Sequence, residues 1–398
     1  MLRPLHILLA TLMLCACNSH AAPTPKDGTA EPSREVIVGA QDTASYMPIL
    51  RDRRVAVLAN HTAMYDTERH IVDVMHAEGI NIVGIFAPEH GFRGAVEAGA
   101  KIEDGTDSKT GIAILSLYNG NTQRPSDDVM RSFDVLVVDM QDVGLRFYTY
   151  YISMLRMVDA CADFGCEVVV LDRPNPNGHY VDGPILDMKY KSGVGWLPIP
   201  VVHGLTMGEI ATMAIGEGWA KPAKLTVVKC QNYDHTTHYE LPIAPSPNLP
   251  TQHSIYLYPT TCLFEGTVLS MGRGTEAPFE VYGHPDLTGY DYTFTPAPNA
   301  GSAKPPHMGK LCYGRDLRTL PNEEIWGNGI DLSYIIEAYH NLGIGKAFFT
   351  PMFEKLIGVD YVREMIMAGC SAEEIEARWM EDVEKFKEQR RKYLIYNE

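Results

Sequence analysis

Between Val55 and Arg173 the chain repeats one alternation, a short β-branched run followed by a stretch with helical spacing. The runs are VAVLAN (55–60), NIVGIF (81–86), GIAILSLY (111–118), DVLVVDM (134–140) and EVVVLDR (167–173), with the helix-like ERHIVDVMHAEG, SDDVMRSF and YYISMLRMVDACADFG among them. Strands that read as unbroken apolar runs are buried on both faces, which is the condition of a parallel sheet covered by crossover helices. The alternation therefore predicts an α/β fold with a Rossmann-like, doubly wound N-terminal domain. Thr206 with Glu209 three residues on is a capping box that starts a helix just after His203-Gly204, and KLTVVKC (224–230) supplies a further strand.

From about Glu240 the texture changes to the Pro-rich LPIAPSPNLPTQHSIYLYPTT. This marks the expected boundary between a Rossmann-like catalytic domain (36–239) and a smaller C-terminal α/β domain (240–398), with the active-site cleft between them. The second domain is expected to end in helices over DLSYIIEAYHNL, DYVREMIMAG and one long helix from the Ser371/Glu374 capping box through EEIEARWMEDVEKFKEQRRKYL. A chain of 398 residues with 45% hydrophobic content can fill the cores this requires.

The first residues, MLRPLHILLATLMLCAC, have a basic start, a short apolar run and a small residue before a cysteine, the pattern of an export signal rather than a membrane span. Leu14-Cys15-Ala16-Cys17 resembles a bacterial lipobox, which implies cleavage before Cys17, a lipid chain on its thiol and a membrane tether on the periplasmic or outer-membrane side. Residues 18–35 read as a flexible linker. The six cysteines beyond it are scattered, and are expected to be mostly buried small hydrophobes with room for one or two disulfides. A formal net charge of −16 argues against a nucleic-acid binder, which needs a Lys/Arg stripe.

In open α/β sheets ligands bind beyond the carboxyl ends of the strands. After NIVGIF come Glu89, His90 and Arg93; after DVLVVDM, whose own end holds Asp139, come Gln141, Asp142, Arg146 and Tyr148; EVVVLDR ends in Asp172 and Arg173, followed by Asn175 and Asn177; His203 precedes the capped helix. Carboxylate, guanidinium and amide groups converging on one rim are what a polar ligand such as a sugar requires. Ser246, Asn248, Arg273 and Glu276 are the candidates from the irregular segments that would close the cleft.

Several chemistries are absent from the pattern. There is no Gly-x-Ser-x-Gly elbow, no Walker loop and no His-Glu-x-x-His helix. Gly272-x-Gly274-x-x-Ala277 matches the dinucleotide fingerprint loosely, but Pro278 follows and no βαβ unit opens there, so a tight loop and no cofactor is the reading. Asp234, His235, His238 and Glu240 fall in a polar link read as a solvated loop, and no metal site is expected. Carboxylates remain. Glycoside hydrolysis needs one held protonated as general acid, with a second group or the substrate's acetamido oxygen stabilising the oxocarbenium-like centre. Glu89, after an apolar strand, suits the acid.

The motifs FAPEHGFRG, DMQDVGLRFYTY, VLDRPNPNG, VVHGLTMGE, PSPNLPT, YPTTCLFEGT and LSMGRGTEAPFE, in this order, resemble the NamZ-like exo-β-N-acetylmuramidase family, from about Val55 to the C-terminus. The resemblance implies release of N-acetylmuramic acid (MurNAc) from the non-reducing end of peptidoglycan fragments such as MurNAc-GlcNAc. It implies Glu89 as the general acid, Glu276 as first choice for the second catalytic group with Asp139 and Asp142 as alternatives, and Arg93, Arg146 or Arg273 as partner of the lactyl carboxylate. A tethered, non-catalytic glycan-binding lipoprotein is the competing reading, and an amidase or esterase is disfavoured by the missing nucleophile motifs.

Overall fold

Each strand at the centre of the main sheet is buried along its whole length, which is why the sequence carries Val, Leu and Ala there without alternation. The computed structural model describes residues 35–88, 92–93, 105–117 and 124–398. Among them the strands are β1 (Val55–Ala59), β2 (Ile82–Ala87), β3 (Gly105–Thr106), β4 (Ala113–Ser116), β5 (Val135–Asp139), β6 (Glu167–Leu171) and β7 (Lys224–Val228). They form one sheet in the order β3-β4-β2-β1-β5-β6-β7. All neighbours are parallel except the short β3, which runs antiparallel to β4.

Among the parallel strands chain order runs outward in both directions from the β1/β5 pair, so the sheet is doubly wound and its switch point lies between the ends of β1 and β5. Alternate residues feed opposite faces. Val55, Val57 and Ala59 of β1 join Val135 and Val137 of β5 in a core with Tyr46, Leu50, Ile71 and Met75. Ala56 and Leu58 point the other way, with Leu136 and Val138, into a larger core that takes in the helix Tyr150–Phe164 and side chains as far along the chain as Trp379 and Phe386. Each fully buried Val, Leu or Ile contributes about 1.5–3 kcal/mol, so both faces stabilise the sheet.

Residues Val36–Glu398 are one compact unit. The change of texture near residue 240 falls inside it: beyond β7 come the antiparallel sheet β8 (Val281–His284), β10 (Cys312–Asp316) and β9 (Tyr292–Phe294), with β10 central, and a set of helices. Ser333–Leu342 and Tyr361–Met367 are helical as the spacing predicts. The long terminal helix is two, Ala372–Glu376 under the Ser371/Glu374 capping box and Met380–Arg390, with the buried Trp379 at the start of the second. The six described cysteines are free thiols, so no disulfide staples this unit among the described residues.

Candidate active site

The loops leaving β1, β5 and β6 are tied to one another by the polar side chains that the sequence singles out. Asp139 accepts from Arg173, at 2.5 Å from Nε and 3.0 Å from Nη2, and Nη2 also donates to the Met64 carbonyl at 2.8 Å. Gln141 Nε2 donates to the carbonyls of Asp142 and Pro174 at 2.8 and 2.7 Å, while its backbone N–H reaches Thr62 Oγ1. Asp172 accepts from Thr206 Oγ1, Tyr396 Oη and the Gly208 N–H, fixing the start of the helix Met207–Gly216. Its burial pushes the carboxyl up to about 6. Asn175 spans from the Leu205 carbonyl to the Asn177 N–H, and Asn177 donates to the Val143 carbonyl.

This layer is set apart by its burial. Asp139, Gln141, Asp172, Arg173 and Asn175 are all buried, and the protein itself occupies their hydrogen-bonding groups. Arg146 is fully buried, its Nη1 donating to Pro184 and Ile199 and its Nη2 to Leu356, and desolvation brings it down to about 10. A guanidinium enclosed by three carbonyls holds segments together rather than meeting a ligand. His203 is also fully buried. Its Nδ1 accepts from the Leu205 N–H, and burial pushes the ring down to about 3, which keeps it neutral.

Asp142 sits just past β5. Oδ1 accepts from the Gly144 N–H at 2.8 Å, at a glycine with φ +80°, whereas Oδ2 is buried without a protein hydrogen bond of ordinary geometry. Burial pushes this carboxyl up to about 7, against the pull of nearby backbone amides.

Tyr148 lines a small cleft of about 130 Å³ that opens to solvent. It is lined by Phe147, Tyr148, Thr149 and Tyr150, which lead into the helix Tyr150–Phe164, and by Ser246, Asn248, Tyr258, Cys262, Glu265, Arg273 and Phe279. The two segments are joined where Tyr148 Oη and Tyr150 Oη both donate to the Pro245 carbonyl, at 3.0 and 3.1 Å. Asn248 Nδ2 donates to the Gly301 carbonyl at 2.7 Å, and Ser246 Oγ accepts from the Asn248 N–H. Four of the expected ligand residues, Tyr148, Ser246, Asn248 and Arg273, thus line one cleft.

Arg273 stands between Gly272 and Gly274, with φ of +82° and +79°, where a Cβ would meet the Ala277 or Ala297 carbonyl at 2.5 Å. The Gly-x-Gly element is a tight loop that presents one arginine. Arg273 pairs with Glu265, which strand-end reasoning missed because Glu265 follows the helix Gln252–Thr261 and not a parallel strand. The signal available was its place in YPTTCLFEGT, eight residues before Arg273.

Glu276 and Arg93 do not line this cleft. Glu276 is exposed. Arg93 is engaged by Asp107 through Nε and Nη2 and by Asp73 through Nη2. Glu89 and His90 lie outside the described residues, as does Cys17; in the chain Glu89 follows the end of β2 by two positions. The link 234–240 is not a solvated loop throughout, because His235 is buried against Glu209 and His238 stacks on Trp326.

Two family models match the chain, the exo-β-N-acetylmuramidase NamZ N-terminal domain over residues 55–253 and the NamZ C-terminal domain over 256–396. The chain is 34% identical to the peptidoglycan β-N-acetylmuramidase NamZ of Bacillus subtilis (strain 168), over the whole of both chains. Its fold is similar to the crystal structures of two DUF1343 family proteins from Bacteroides fragilis NCTC 9343. One is 56% identical with a TM-score of 0.86, covering 92% of this chain and 99% of its own. The other is 27% identical with a TM-score of 0.78, covering 92% and 100%.

Proposed function

The chain belongs to the NamZ exo-β-N-acetylmuramidase family, and on that premise we propose that it is a glycoside hydrolase of the muramidase type acting on peptidoglycan. It releases MurNAc from the non-reducing end of fragments such as MurNAc-GlcNAc. The observation that carries this reading is the cleft itself, whose lining combines hydroxyl and amide side chains from Tyr148, Ser246 and Asn248 with a guanidinium, Arg273. Aromatic walls with a few convergent polar groups suit a sugar ring, and a planar guanidinium suits the lactyl carboxylate that separates muramic acid from glucosamine.

In this reading Glu89, two positions past the end of β2 in the chain, is the general acid. It protonates the leaving oxygen as the glycosidic bond breaks. Arg273 takes the carboxylate role among the three arginines, since Arg93 is held by Asp73 and Asp107, and Arg146 by carbonyls. Export and a lipid tether at Cys17 are part of the same proposal and would hold the enzyme beside its polymer.

The test is incubation of the purified protein with a chromogenic β-MurNAc glycoside and its β-GlcNAc counterpart. Cleavage of the first and little of the second is expected. If neither is cleaved, the hydrolase reading fails in favour of a glycan-binding protein.

A further inference from the structure

Two side chains in the cleft have no role in the family motifs as read above, Glu265 and Phe279. Both touch Arg273. Glu265 Oε1 lies 2.7 Å from Arg273 Nε and 2.6 Å from Nη2, so one carboxylate oxygen takes the side-on edge of the guanidinium. An arginine has five N–H donors. With one on Nε and one on Nη2 engaged, those on the end-on edge, shared by Nη1 and Nη2, are left for a second carboxylate.

Phe279 supplies a platform. The Arg273 guanidinium carbon lies 4.9 Å from the centre of its ring, which also packs edge-on against Tyr258 at 4.7 Å. Phe279 is buried and holds φ +62°, a region that bulky residues rarely adopt. Its backbone N–H is fixed to the Met271 carbonyl at 2.7 Å, which ties the strained residue to the loop that carries Arg273. Such conformations persist where the surroundings over-determine them, and they cluster at ligand sites.

We propose that Glu265 and Phe279 are positioning residues that hold Arg273 with its end-on edge facing the cleft, so that selectivity for the muramyl carboxylate comes from a fixed fork and not from free positive charge. The inference rests on the reading of this cleft as the muramyl site. Glu265 neutralises the arginine and lowers its raw attraction for anions. What remains is geometric: a carboxylate must arrive in the plane of the guanidinium to form two parallel bonds.

The test measures kcat and KM for the paired β-MurNAc and β-GlcNAc glycosides in wild type, Arg273→Ala, Glu265→Ala, Glu265→Gln and Glu265→Asp, with thermal unfolding confirming that each variant is folded. Arg273→Ala should abolish the preference. Glu265→Ala and Glu265→Asp should lower it about tenfold through KM for the MurNAc substrate alone, with kcat within about threefold. Glu265→Gln should retain most of it, because the amide oxygen accepts from the same two nitrogens. The proposal is overturned if Glu265→Ala keeps the wild-type preference, binds MurNAc more tightly through the unmasked charge, or loses kcat at unchanged KM, which would put Glu265 in the chemistry. A wild-type protein that cleaves neither substrate refutes the functional reading instead, and one that cleaves both alike refutes the carboxylate site.

Discussion

Asp139 and Arg173 are each other's partners: Arg173 Nε lies 2.5 Å from Asp139 Oδ1, with the Asp139 side chain wholly buried and that of Arg173 nearly so. The pair joins the ends of β5 and β6, and Arg173 reaches on to Met64 beyond β1. Removing one member leaves the other as an uncompensated buried charge, which costs about 3–5 kcal/mol. Asp139→Ala should therefore lower unfolding stability by that amount in a denaturant titration. A loss below about 1 kcal/mol would show that the pair does not hold the three strand ends together.

Arg93 offers the contrast with Arg273. Partial burial works to raise the Asp107 carboxyl, yet bonds from Arg93 and Thr110 hold it down to about 2. For a carboxyl depressed in the folded state, the stabilisation is present above the unfolded value near 4 and is lost as pH falls towards 2. Arg93→Ala should thus cost on the order of 1 kcal/mol at neutral pH, discounted for the partial exposure of the pair. Its penalty should shrink at pH 2–3, and the ratio of MurNAc to GlcNAc cleavage should be unchanged. A lost preference in steady-state assays would return Arg93 to the list of ligand contacts.

Asp142 has the opposite sign. Burial raises its carboxyl to about 7, so the folded state holds a proton that the unfolded chain has released. Its contribution is full below pH 4 and is lost as pH rises through 7. A shift of this size is worth on the order of a few kcal/mol, since each pKa unit is about 1.4 kcal/mol. Asp142→Asn keeps an acceptor for the Gly144 N–H and should be more stable than wild type at pH 8, with the gain vanishing near pH 4. Melting temperatures across that range check it, and a variant that is less stable at pH 8 contradicts it.

The parallel sheet was legible because burial on both faces writes itself into unbroken apolar runs, as in VLVVD of β5. The Thr206/Glu209 capping box was legible because both halves are local. The strand-end candidates were harder to sort. Asp172 and His203 look identical in sequence whether they meet a ligand or a neighbouring element, and only the third dimension shows Asp172 against Thr206, Gly208 and Tyr396. Glu265 and Phe279 escaped for a related reason. Their contacts with Arg273 cross spacings that no strand or helix period connects.

The account turns on Glu89 as proton donor, and leaving-group dependence tests it most directly. A sugar alkoxide must be protonated as it departs, whereas nitrophenolate leaves with little help, so loss of a general acid falls mainly on the natural bond. The measurement is kcat/KM of wild type and Glu89→Gln on MurNAc-GlcNAc and on nitrophenyl β-MurNAc. The account predicts a loss of about 10²-fold or more on the disaccharide and a much smaller loss on the nitrophenyl glycoside. Wild-type rates on the disaccharide, or equal losses on both substrates, would contradict it.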